Sequence, residues 1–223
     1  MRSSLAPPLA RSLLGRFGLH YSWVVAAVIF LCLLAAAGVR ATPGVLIVPL
    51  QQSLGWDRAT ISAAIALNVF LYGLSGPFAA ACMQRFGIRR TVLWALLLLA
   101  ATVAASTRMH AVWQLLLSWG VMVGIGSGFI AVVLAATVVN RWFVQRRGLV
   151  MGLLTASTAT GQLVFLPMLA AVVEHGGWRP VAWIVAAVAA AVAVLAFLLL
   201  PEAPRELGQR AYGAAADEAP ATA

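Results

Sequence analysis

The chain has 223 residues, 63% of them hydrophobic and 9% charged, with a formal net charge of +9. Soluble domains carry about 25% charged residues, so the composition excludes a water-soluble fold and makes lipid the solvent. All 15 basic residues are arginine, standing in short clusters between apolar runs with no basic face or recognition motif, which excludes nucleic acid as a partner.

A helix that crosses a bilayer needs about 20 mostly apolar residues. Six runs qualify, roughly 22–50, 58–83, 91–107, 111–139, 148–173 and 178–200. The links between them are short, and backbone polar groups in lipid must be satisfied within a segment, so the runs are predicted to be helices. The expected fold is an all-α integral membrane bundle of six transmembrane helices over 22–200. Residues 1–21 form the N-terminal segment and 201–223 a flexible tail rich in Ala, Pro and charge.

The first run holds Arg40 within "LLAAAGVRATPGVLIVPL" (33–50). A cation at membrane depth costs about 3 kcal/mol or more, and such groups face protein or a wet cavity. Ala36, Ala37 and Gly44 share its helical face and are expected to leave space beside the guanidinium. Pro43 cannot donate to the Val39 carbonyl, which predicts a loosened helix there. The planar donor fork of arginine suits a carboxylate, so Arg40 is a candidate anion-binding group. Its alternative is a structural arginine that bonds freed carbonyls or snorkels outward. Cys32 and Cys82 lack CxxC or His partners and read as buried small hydrophobes. A cleaved signal peptide over 23–37 is disfavoured, because the apolar run resumes beyond Arg40.

The second run contributes Asn68 and Tyr72, and the fifth Gln162, as isolated polar groups. Each is a candidate substrate contact, with an interhelical hydrogen bond as its alternative. The fourth run carries Gly120, Gly124 and Gly128, a double GxxxG that lets helices approach closely; Gly73, Gly76 and Ala80 offer a matching surface. "GIGSG" (124–128) does not supply the GxSG of a membrane protease, and no histidine lies in the sixth run, so no enzyme is expected. No Asp or Glu lies deep in any run, and no metal or cofactor is expected.

Arginine placement gives orientation. Eleven arginines flank one side, among them Arg85, Arg89, Arg90, Arg141, Arg146 and Arg147, against Arg58, Arg108 and Arg179 on the other. Both termini are therefore expected in the cytoplasm of a bacterial inner membrane. Trp23, Trp56, Trp113, Trp142 and Trp178 fall near span ends, as interfacial anchors do.

These features resemble the N-terminal half of a major facilitator superfamily transporter. "MQRFGIRR" (83–90) is similar to that superfamily's loop signature at Arg85, Gly87, Arg89 and Arg90, with Gln84 where an aspartate is usual. "RWFVQRRGLVMGLLTASTATG" (141–161) resembles the fifth-helix signature of the monocarboxylate-transporter-like and oxalate/formate-antiporter-like branch at Phe143, Arg146, Arg147, Leu149, Gly152, Ala156 and Gly161, and departs at Leu154 and Ser157. "GWDRATIS" (55–62) is similar to its entry to the second helix. The resemblance implies alternating access between two six-helix halves, with the first and fourth helices lining a cavity and the second and fifth at the seam. It implies a small organic anion such as a monocarboxylate at Arg40, and a cytoplasmic gate at Arg85, Gly87, Arg89, Arg90, Arg146 and Arg147. The expected partners are the bilayer and a second six-helix half, either another copy or a separately encoded chain. The alternative is a truncated, non-transporting subunit that pairs with another transporter half.

Overall fold

The computed structural model describes residues 20–214. Among them are six helices long and apolar enough to cross a membrane: α1 (Ser22–Leu54), α2 (Arg58–Phe86), α3 (Ile88–Ser106), α4 (Val112–Trp142), α5 (Arg147–Gly176) and α6 (Trp178–Leu199). The protein is a multi-pass membrane protein. The helices overrun the apolar cores that define them by a few polar residues at most ends, which is how far helix geometry continues beyond hydrocarbon.

With an even number of spans, both described ends of the chain meet at one end of the bundle, called here the terminal end. The Tyr21 hydroxyl donates to the Leu199 carbonyl at 2.7 Å, and Ser22 Oγ donates to the Trp142 carbonyl at 3.0 Å. These bonds tie the start of α1 to the ends of α6 and α4.

Helix α1 is the centre of the bundle. Of its most apolar window 67% is buried, against 17% for α2 and 28% for α5. Helices α2 and α5 therefore turn broad apolar faces outward, including Phe70, Leu74, Phe78, Leu163 and Leu166. Between helices in lipid, tight packing replaces the hydrophobic effect as the driving force, and small residues permit it. On α1 and α5 these are Ala37, Gly38 and Gly161: a Cβ on Gly161 would lie 2.7 Å from that of Ala37, and one on Gly38 would lie 2.9 Å from the Phe165 ring. Ala37 therefore packs on α5 instead of leaving space beside Arg40.

The stripe on α4 faces α2. A Cβ on Gly120 would stand 3.0 Å from Leu67, one on Gly124 2.9 Å from the Asn68 carbonyl oxygen, and one on Gly128 2.6 Å from Ser75 Cβ. The matching surface is thus Ala64, Leu67, Asn68, Leu71, Tyr72 and Ser75. Gly73 has nothing within 4 Å of its Cβ position, because it sits on the far side of α2.

Two irregularities interrupt α4. Leu116–Met122 is π-helical. At Ile130 (φ −107, ψ 54) and Ala131 (φ −114, ψ −164) the helix stops, and it resumes at Val132. By contrast α1 stays helical through Pro43 and Pro49.

Residues 201–214 do not run free. Pro204–Leu207 forms a 3-10 turn, and the chain then crosses to the α4–α5 link. There the Tyr212 amide donates to the Trp142 carbonyl at 2.8 Å, and the Val144 amide donates to the Tyr212 carbonyl at 2.9 Å. The Tyr212 ring sits among His20, Trp23 and Phe143, at centroid distances of 5.4, 5.8 and 6.0 Å. This strap corrects the expectation of a flexible segment up to residue 214; residues 215–223 and 1–19 lie outside the described ones. Trp142, expected as an interfacial anchor, is fully buried beside Tyr21.

Candidate functional site

Arg40 stands near the middle of α1, fourteen residues before Leu54, or about 21 Å along the axis. It is half-buried. Its guanidinium carbon lies 3.9 Å from the centroid of the Tyr72 ring on α2. Such a cation–π contact is worth about 0.5–2 kcal/mol, more as water is excluded. Stacking of this kind engages the face of the guanidinium and not its N–H donors, which lie in its plane.

Gln162 is exposed on α5. One turn beyond it Leu166 approaches Gly44 of α1, 3.8 Å from the Cβ position, and Gly44 is one turn beyond Arg40. The two parallel helices thus hold Arg40 and Gln162 in neighbouring register.

Asn68 is only 6% exposed, and its Nδ2 donates to the Trp119 carbonyl at 2.6 Å. Trp119 lies in the π-helical stretch Leu116–Met122, where the ladder bonds run i→i+5. Of the two sequence readings for Asn68, the interhelical bond is the one the geometry satisfies, so Asn68 is withdrawn from the substrate contacts.

The break in α4 falls at the same depth. A Cβ on Gly128 would meet the Tyr72 carbonyl oxygen at 2.8 Å, and the helix stops two residues later. The segment Val132–Trp142 starts about one turn beyond Tyr72, where the Cβ position of Gly76 lies 3.7 Å from Val133, and its positive dipole end faces back toward that level. Irregular backbone at membrane depth is tolerated only when enclosed by protein or lining a wet cavity.

The six residues named for the gate separate at the terminal end. Gly87 joins α2 to α3 at φ +91, and the Glu202 carboxylate occupies the place of its Cβ, 2.5 Å away. Both the backbone angle and the contact demand glycine. Arg89 Nη2 donates to the Phe197 carbonyl at 2.7 Å and covers the Phe197 ring at 4.9 Å. Arg147 Nε donates to the Phe143 carbonyl at 2.6 Å. Arg147 is nonetheless exposed, as are Arg85, Arg90 and Arg146. Arg146 takes the left-handed conformation, φ 59, at the start of α5. Arg141 joins the cluster, Nη1 donating to the Glu202 carbonyl oxygen at 3.2 Å.

Sequence reasoning missed Glu202 and Arg141. A usable signal was present: Glu202 is an acid two residues beyond the last span, on the side that gathers eleven arginines. His20, beside the strap, has its pKa lowered from the ordinary 6.5 by burial, partly offset by a hydrogen bond to the Arg210 backbone.

Residues 29–215 match the family model described as Major Facilitator Superfamily. Human monocarboxylate transporter 7 is 27% identical over 159 residues, covering 71% of this chain and 30% of that protein. The uncharacterized transporter ESBP6 of Saccharomyces cerevisiae is 31% identical over 148 residues, covering 65% of this chain and 22% of its own length. The fold overlays the inward-open xylose transporter XylE from E. coli with a TM-score of 0.69 at 18% identity, covering 84% of this chain and 50% of that one. The chain thus spans about half of the solved transporter and less than a third of these two relatives.

Proposed function

The chain belongs to the Major Facilitator Superfamily, and we propose that it forms one six-helix half of a transporter that moves a small organic anion, such as a monocarboxylate, by alternating access. The observation carrying this reading is the half-buried Arg40 guanidinium, stacked on Tyr72 in mid-helix, with Gln162 in neighbouring register. Arg40 supplies charge-assisted donors to a carboxylate, Tyr72 holds the guanidinium plane, and Gln162 offers an amide beside them. The dipole end of Val132–Trp142 lies about one turn away and adds positive potential nearby.

Superfamily transporters place substrate near the midplane, between two halves. The broad exposed faces of α2 and α5 suit the seam with a second half, either another copy or a separate chain. The arginine bias favours a terminal end that faces the cytoplasm, and the reading takes the membrane to be a bacterial inner one. There Gly87, Glu202, Arg89 and Arg141 would brace the closed side, with Glu202 supplying the acid that Gln84 does not.

Uptake of radiolabelled lactate, formate or oxalate into proteoliposomes tests the reading. Wild-type protein should accumulate at least one of these anions and Arg40→Ala should not. Equal uptake by the two would remove Arg40 from the mechanism.

A further inference from the structure

Away from Arg40, a groove of about 470 Å³ runs between α2, α3 and α4 at the terminal end. Its walls are apolar, formed by Phe86, Trp94, Leu98, Ile125 and Phe129, and Arg90 is the charged residue lining it. Neither Arg40, Tyr72 nor Gln162 takes part. The Thr91 hydroxyl at its edge donates to the Gly87 carbonyl at 2.7 Å, so the wall offers little besides Arg90 to a polar group.

Along α3 the lining residues recur every four positions: Arg90, Trp94, Leu98. Each step is about 6 Å deeper into the membrane. The order is a cation, then an amphipathic ring, then an aliphatic chain. A phospholipid presents a phosphate, then its ester region, then acyl chain over the same depths, and indole favours that middle zone. Trp94 is 75% exposed, the most open of the tryptophans, although its ring forms part of the groove. Gly126 sets the floor: a Cβ there would lie 2.9 Å from Leu99 Cδ2, so α4 lies close on α3 and leaves Phe129 and Ile125 to line the trough.

We propose that this groove is a binding site for one anionic phospholipid of the leaflet at the terminal end, its phosphate on Arg90, its ester region against Trp94 and an acyl chain along Leu98 and Ile125. The proposal does not require the Arg40 reading.

The test uses the full chain in nanodiscs with photoreactive phosphatidylglycerol or phosphatidylcholine bearing an acyl-chain diazirine, followed by peptide mapping. Labelling of the α3 and α4 lining peptides should favour phosphatidylglycerol by about fivefold, the worth of one interfacial arginine. Arg90→Gln should bring the two lipids level, and Arg90→Lys should keep the preference. Ile125→Trp, which fills the trough, should reduce labelling by both lipids and serves if Arg90→Gln does not fold. Equal labelling by the two lipids in the wild type, an unchanged preference in Arg90→Gln, or unchanged labelling in Ile125→Trp would overturn the proposal.

Discussion

Substituting Gly128 by alanine tests how the α2–α4 contact sets both stability and the site. The new Cβ would stand 2.6 Å from Ser75 Cβ and 2.8 Å from the Tyr72 carbonyl oxygen. Carbon atoms settle at about 3.5–4.0 Å, so the helices must part by about 1 Å. Neither obstacle is the tip of a flexible side chain, so no rotamer change relieves it. Overpacking of this kind costs about 1–3 kcal/mol, opposed by about 1 kcal/mol of helix propensity gained on replacing glycine. Gly73→Ala isolates the second effect, since nothing lies within 4 Å of its Cβ position. Equilibrium unfolding of the purified protein, by titrating a mild detergent with a denaturing one, should separate the two variants by about 1–3 kcal/mol, with Gly128→Ala the less stable. Because the clash is with the Tyr72 backbone, the same variant should also weaken anion binding at Arg40. Equal stabilities for the two variants would refute the close approach of α4 to α2.

Asn68→Ala removes the bond to the Trp119 carbonyl and should cost about 0.5–2 kcal/mol in the same unfolding assay, while anion affinity stays at the wild-type level. Acidification should loosen the strap. His20 has a folded-state pKa below 6.5, so the detached form binds more protons as the pH falls through and below that value, and docking weakens. Its Nδ1 also accepts from the Ser22 amide at 3.4 Å, a bond the protonated ring cannot make. Hydrogen exchange at the Tyr212 amide, corrected for intrinsic rate, should lose protection at pH 5.5 relative to 7.5, and His20→Gln should abolish the difference.

The six spans were legible because lipid imposes one rule on every helix, and composition reports it directly. The close approach of α4 was legible too, because GxxxG spacing is a local pattern, but its partner surface was legible only in part: Gly76 meets Val133 of α4, 3.7 Å from its Cβ position, and Gly73 meets nothing. Helical periodicity alone does not say which side of α2 faces α4, and Gly73 falls on the wrong side. Arg40 announced itself as a charge in an apolar run, yet its contact with Tyr72 depends on how α1 and α2 cross. Asn68 makes the interhelical bond that an isolated polar group in an apolar run allows, but its acceptor could not be named in advance, because the Trp119 carbonyl lies in a π-helical turn that no residue pattern marks. Glu202 and Tyr212 were hidden for a related reason. A Pro- and Ala-rich segment after the last span reads as a free tail, and only tertiary structure carries it back across the bundle to Gly87 and Phe143.

The most direct measurement is equilibrium binding of a radiolabelled monocarboxylate to the purified wild type, Arg40→Lys and Arg40→Ala. A charge-assisted contact is worth about 1.5–3 kcal/mol, so Arg40→Ala should bind about tenfold to a hundredfold more weakly, with Arg40→Lys between the two. Identical affinities in all three proteins would contradict an anion held by this guanidinium.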